Sequence, residues 1–154
     1  MGLHDDALYE EAVRRVAGKL RAALEQGNLP LVSLTAFPRG ACGDTCELLG
    51  QFLVDEGLGQ SLYYSGQRDV PLQSHAWLER DGLILDITAD QFTDVAERVM
   101  LTKDRRWHSR FRNSARQRTA NLEHFVDGVN AAEAQLAYVE LRRRATSAEA
   151  VHVI

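Results

Sequence analysis

A chain of 154 residues, 45% of them hydrophobic and 26% charged, has the apolar content to bury one core without disulfides or metals, and its composition is neither disordered nor fibrous. No apolar run approaches the ~18 residues a bilayer span requires, and Met1 to Asp6 carry neither the basic nor the apolar stretch of a secretory signal. One cytoplasmic domain over residues 1–154, with no membrane partner, is the expectation. Cys42 and Cys46 are the only cysteines, too few and too close for a disulfide framework or a paired zinc knuckle, so reduced thiols are expected.

The net charge of −4 is unevenly spread. Between Lys103 and Arg118 stand Lys103, Arg105, Arg106, Arg110, Arg112, Arg116 and Arg118 against the single acid Asp104. Such a run serves either as a solvated face that offsets an acidic remainder or as a seat for an acidic or phosphate-bearing partner.

In chain order, Asp5 and Asp6 are expected to cap a helix whose apolar positions Leu8, Ala12, Val16, Leu20 and Leu24 repeat at helical spacing until Gly27 stops it. Leu31 to Leu34 fits a strand or the lead-in to a helix, and periodicity does not separate the two. Phe37-Pro38-Arg39-Gly40-Ala41 reads as a constrained turn, followed by a helix through Thr45, Leu48, Leu49, Phe52 and Leu53 that stops at Gly57. Cys42 therefore falls at or just before a helix N-terminus. Leu62 to Tyr64 predicts a strand and Gly66 to Pro71 a loop. Ser74 to Leu78 and Leu83 to Thr88 predict two strands around an Asp81-Gly82 turn. The basic stretch has no clear period. Residues 121–144 predict a closing helix with Leu122, Phe125, Val129, Ala132, Leu136 and Val139 on its packing face and with Gly128 weakening it locally.

A two-residue Asp81-Gly82 turn sets a register that opposes Arg80 to Leu83, Glu79 to Ile84 and Leu78 to Leu85. Side chains alternate, so Ala76, Leu78, Leu83, Leu85 and Ile87 share one face and His75, Trp77, Glu79, Ile84, Asp86 and Thr88 the other. His75 and Asp86 become diagonal cross-strand neighbours, within reach of a hydrogen bond. A thiolate is favoured at a helix N-terminus, and Gly40, Ala41 and Gly43 leave room beside Cys42. Cysteine nucleophile, imidazole base and orienting carboxylate are the parts of a catalytic triad, here Cys42, His75 and Asp86. Trp77, Tyr63 and Tyr64 are candidate cleft walls, and Gln91 a candidate substrate or oxyanion donor. Cys46 reads as a small core residue, and His108 and His124 as surface or packing residues. A zinc site of Cys42, Cys46 and His75 lacks a fourth ligand, so neither a metal nor another cofactor is expected.

Gly40-Ala41-Cys42 opening a helix, then Ser74-His75-Ala76-Trp77-Leu78-Glu79 on one strand and Leu85-Asp86-Ile87-Thr88 on the next, resemble the core of the transglutaminase-like superfamily of papain-like cysteine enzymes. The likeness spans residues 37–92. It implies an α+β fold in which a nucleophile helix packs on an antiparallel sheet, with Cys42 as nucleophile, His75 as general base and acid, and Asp86 as orienter; helices flank this core on both sides in the predicted elements. Pro38-Arg39-Gly40-Ala41-Cys42 also resembles the segment around the cysteine of arylamine N-acetyltransferases, which are much longer chains. The expected function is a thiol hydrolase, peptidase or deamidase, acting on an amide or isopeptide bond of a protein or peptide through an acyl-Cys42 thioester. Transfer of the acyl group to an amine is the enzymatic alternative. A non-catalytic binding module working through residues 103–118 is the other.

Overall fold

The computed structural model describes residues 3–113, 118–126 and 128–152. Helix α1 runs Leu3–Glu25, and its buried face is Val13, Val16, Ala17, Leu20, Ala23 and Leu24. The helix begins before the two aspartates, so Asp5 and Asp6 lie in its first turn, where their charge favours the dipole, rather than at its cap. Leu8, expected in the core, is 52% exposed. The ambiguous run after it becomes a short 3-10 turn, Val32–Leu34, with Leu31 and Leu34 buried.

Helix α2 spans Cys42–Asp55. It starts after a turn containing a cis Phe37-Pro38 bond and a left-handed Gly40, with Ala41 at the cap and no capping side chain. Its face of Leu48, Leu49, Phe52 and Leu53 is buried. Gly50 has a packing reason: a Cβ there would stand 2.4 Å from the Ala120 carbonyl oxygen, a separation no rotamer relieves.

Four strands then build most of the sheet: β1 Leu62–Asp69, β2 Leu72–Arg80, β3 Leu83–Asp86 and β4 Met100–Thr102. Two short strands, β5 Arg112–Asn113 and β6 Arg118–Thr119, both pair with β1. The order is β4-β3-β2-β1-β5, and every described pairing is antiparallel. The expected loop from Gly66 to Pro71 is mostly strand, because β1 continues to Asp69 and turns into β2 through a cis Val70-Pro71 bond. Gly66 sits inside β1 where β5 crosses closely, so that a Cβ would lie 2.5 Å from the Arg112 carbonyl oxygen.

The β2–β3 hairpin has the register expected of it: Leu78 faces Leu85, Glu79 faces Ile84 and Arg80 faces Leu83. Asp81 and Gly82 both have positive φ, 52° and 80°, as a two-residue turn matched to strand twist demands. Ala76, Leu78, Leu85 and Ile87 join the helices in the main core. The opposite face is buried too, with Trp77, Ile84, Phe92 and Phe111 forming a second apolar cluster against which Tyr64 and Trp107 pack. The chain from Phe92 to Phe111, which also supplies edge strand β4, thus lays Phe92, Trp107 and Phe111 over the back of the hairpin.

Helix α3, Gly128–His152, closes the fold. It starts later than expected, since Leu122–His124 is a separate 3-10 turn, and Gly128 is its first residue rather than an interior weak point. Its buried face also differs. Ala134, Ala137, Tyr138, Leu141 and Ala145 enter the core, while Val129, Leu136 and Val139 are more than half exposed. Small alanines let α3 lie close to its neighbours, and larger aliphatics on that side would hold it away. Among the described residues no helix is long and apolar enough to cross a membrane.

Candidate active site

The turn before α2 and the hairpin carry the three residues of the expected triad to one place. Cys42 is the first residue of α2, half-buried, with small neighbours on either side. His75 and Asp86 project from β2 and the end of β3 and are both nearly inaccessible, at 1% and 2% exposure. His75 Nε2 lies 2.6 Å from Asp86 Oδ2. This bond uses Nε2 and leaves Nδ1 as the nitrogen available to Cys42 and Gln91.

The electrostatics follow from burial and partners. Desolvation alone would pull the His75 pKa down, but the hydrogen bonds to Asp86 and Cys42 and the charges behind them outweigh it and raise it from 6.5 to about 9. Burial would likewise push Asp86 up, yet hydrogen bonds from His108 and His75 hold it down at about 2. A carboxylate that remains ionised beside an imidazole whose protonated form is favoured is what an imidazolium–thiolate pair requires. Asp86 Oδ1 is fixed from the other side by the Thr88 amide at 3.0 Å. Cys46, one turn beyond Cys42, is 5% exposed, and burial raises its thiol pKa well above the ordinary value. Cys46 is thus a core residue, and Cys42 is the more accessible of two free thiols.

Gln91 reaches the site. Its Nε2 lies 3.3 Å from His75 Nδ1 and donates to the Thr88 carbonyl at 3.0 Å. It is delivered by a short 3-10 turn, Ala89–Gln91, which Arg21 of α1 anchors: the guanidinium grips the Asp90 carboxylate at 2.7 and 2.8 Å and donates to the Ile87 carbonyl at 2.7 Å. Tyr64 is half-buried and stacks on Trp77, 6.4 Å between ring centres. Trp77 is only 3% exposed and donates its Nε1 to Glu79 at 2.9 Å. Its indole supports the site from beneath and offers little surface to a substrate.

Sequence reasoning missed His108. Read as a surface or packing histidine, it is 1% exposed, and its Nε2 lies 2.7 Å from the same Asp86 Oδ2 that His75 uses. The one available signal was Trp107-His108 and Phe111 interrupting an otherwise charged stretch, since aromatic residues there point to burial. His124 is exposed, with Nε2 against the Thr119 carbonyl at 2.8 Å.

Residues 114–117, Arg116 among them, lie outside the described residues. The remaining cations of the basic run face carboxylates: Lys103 Glu10, Arg105 Glu79, Arg106 Asp104, Arg110 Asp94, Arg112 Asp69 and Arg118 Glu47. An anionic partner would have to compete with these pairs.

Comparison of the chain with protein-family models, with curated proteins and with solved structures finds no match in any of the three.

Proposed function

We propose that this protein is a cysteine-dependent hydrolase, a peptidase or deamidase, that attacks an amide or isopeptide bond of a protein or peptide through an acyl-Cys42 thioester. The observation that carries the reading is the buried His75 ring, hydrogen-bonded to the Asp86 carboxylate on one nitrogen and near enough to the Cys42 thiol for the two to interact. The order of nucleophile helix, histidine strand and aspartate strand supports a transglutaminase-like core, and with it the papain-like assignment of roles.

In the reaction, His75 Nδ1 takes the thiol proton and the Cys42 sulfur attacks the carbonyl carbon. Free amides at the start of α2 bind the oxyanion, with Gln91 Nε2 as a further donor once the ring has turned to its protonated form. His75 returns the proton to the departing nitrogen as the C–N bond breaks. A water molecule, deprotonated by His75, then attacks the thioester and releases the acid. Asp86 keeps the imidazole in the tautomer with its proton on Nε2 throughout and stabilises the imidazolium that forms. Tyr63, whose hydroxyl stands 3.2 Å from where a Cβ on Gly43 would be, lines the approach.

The test is alkylation of Cys42 by iodoacetamide as a function of pH, read by mass spectrometry so that Cys46 is counted apart, in wild type and His75→Ala. Reaction well below pH 7 that disappears in the variant supports the reading. A Cys42 that titrates near ~8.5 and ignores His75 overturns it. Incubation with glutamine-containing peptides, with and without a primary amine, then separates backbone cleavage, deamidation and acyl transfer by product mass.

A further inference from the structure

His108 comes from the 3-10 turn His108–Arg110 and enters the site from the covering segment, not from the sheet. Its ring is wedged between Trp77 and Trp107, with centroids at 4.8 and 4.7 Å, and Nε2 meets Asp86 Oδ2 at 2.7 Å. The other nitrogen, Nδ1, is buried without a hydrogen-bond partner among the described residues. A buried N–H without an acceptor is rare and costly. The proton of a neutral His108 therefore belongs on Nε2, where it is donated to Asp86. Two imidazole N–H groups thus converge on one carboxylate oxygen while the Thr88 amide holds the other.

The same three ligand atoms fall within 4.8 Å of one another, close enough to suggest a cation site. The spacing argues otherwise. Ligands on a zinc ion at ~2.0–2.1 Å stand roughly 3.3 Å apart in a tetrahedral arrangement, whereas here oxygen and nitrogen approach to 2.6 and 2.7 Å. Those are lengths of charge-assisted hydrogen bonds.

We propose that His108 is a positioning residue for the Cys42–His75 pair, acting through Asp86 as the second donor that keeps this buried carboxylate ionised and aimed at His75. The proposal rests on the reading of Cys42 as nucleophile. Without His108, the carboxylate loses one of its two imidazole donors in a site where burial favours its neutral form, and it gains freedom to turn toward the vacated space. His75 is then held less firmly in its Nε2–H tautomer, and the imidazolium that stabilises a Cys42 thiolate is weakened.

The experiment compares the pH profile of Cys42 alkylation in wild type, His75→Ala, His108→Phe and His108→Gln, with imidazole tautomers read by long-range proton–nitrogen NMR on the wild type. His108→Phe keeps a ring and removes the donor; His108→Gln restores an N–H near the Nε2 position. The expected result is a fall of about tenfold or more in Cys42 alkylation below pH 7 for the Phe variant, the loss anticipated for one hydrogen bond to a charged group, and substantial recovery in the Gln variant. A Phe variant with the wild-type profile overturns the proposal, as does failure of Gln to recover more than Phe. If His108→Phe fails to fold, the wild-type spectrum decides: a neutral His108 protonated on Nε2 supports the proposal, and Nδ1–H on His108 overturns it. Binding of one zinc ion by the metal-stripped wild type, lost in His108→Gln, also overturns it. A wild-type Cys42 indifferent to His75→Ala instead removes the nucleophile reading itself, an outcome distinct from all of these.

Discussion

Replacing Asp86 by Asn tests the centre of the site with almost no change of shape. Asp86 accepts from His75 Nε2 at 2.6 Å, His108 Nε2 at 2.7 Å and the Thr88 amide at 3.0 Å. An asparagine has one acceptor oxygen. Turned toward the histidines, it sets its amide N–H groups against the Thr88 N–H; turned toward Thr88, it sets them against two imidazole N–H groups. At least one buried donor is left unpaired, at ~1–3 kcal/mol, and the bonds that survive lose their charge assistance. A total of about 3 kcal/mol is expected, which lowers Tm by roughly 6–12 °C for a chain of this size. His75 can relieve the conflict by moving its proton to Nδ1, but that points an N–H at Cys42 and removes the acceptor there. Asp86→Asn should therefore melt lower by calorimetry and, while still folded, alkylate Cys42 at pH 6 at least ~10-fold more slowly than wild type. An unchanged Tm together with a superimposable alkylation profile would refute the reasoning.

Stability should also depend on pH in a defined direction. The folded His75 pKa of about 9 lies above its ordinary 6.5, so its contribution is complete below pH 6.5 and is lost as pH rises through 9. Asp86, held at about 2 against an ordinary 3.8, contributes fully above pH 3.8 and loses its contribution as pH falls through 2. Urea midpoints measured across both windows, with His75→Gln flattening the alkaline one, check the signs. Arg21→Met leaves the Asp90 carboxylate and the Ile87 carbonyl without their cation in a buried setting and should cost ~3–5 kcal/mol in urea denaturation; a cost below 1 kcal/mol would show that Arg21 does not anchor the Gln91 turn. On α3, Leu141→Ala should cost ~2–5 kcal/mol because Leu141 is fully buried, whereas Leu136→Ser should stay within about 0.5 kcal/mol. Equal costs would place the wrong face of the helix in the core.

The relation of Cys42, His75 and Asp86 was legible in the chain because it rests on local rules. A glycine-flanked turn opens α2 at Cys42, and the Asp81-Gly82 turn fixes the hairpin register within a few residues, so alternation alone puts His75 and Asp86 on one face. The helix in α1 and the separation of Cys46 from Cys42 by one buried turn were legible for the same reason. What lies far apart in sequence was not. Which stripe of α3 enters the core depends on how closely it approaches its neighbours, and the face of Ala134, Ala137, Tyr138, Leu141 and Ala145, not that of Val129, Leu136 and Val139, is the one that fits. Nor did any period announce that the segment from Phe92 to Phe111 would cover the back of the hairpin, or that His108 would arrive 22 residues after Asp86 to share its oxygen. The sequence by itself determined the strand pair that carries His75 and Asp86 and the helix start beside it. Only the tertiary structure decided what surrounds them, because desolvation and the second donor on Asp86 come from chain segments that meet the site through packing rather than through local geometry.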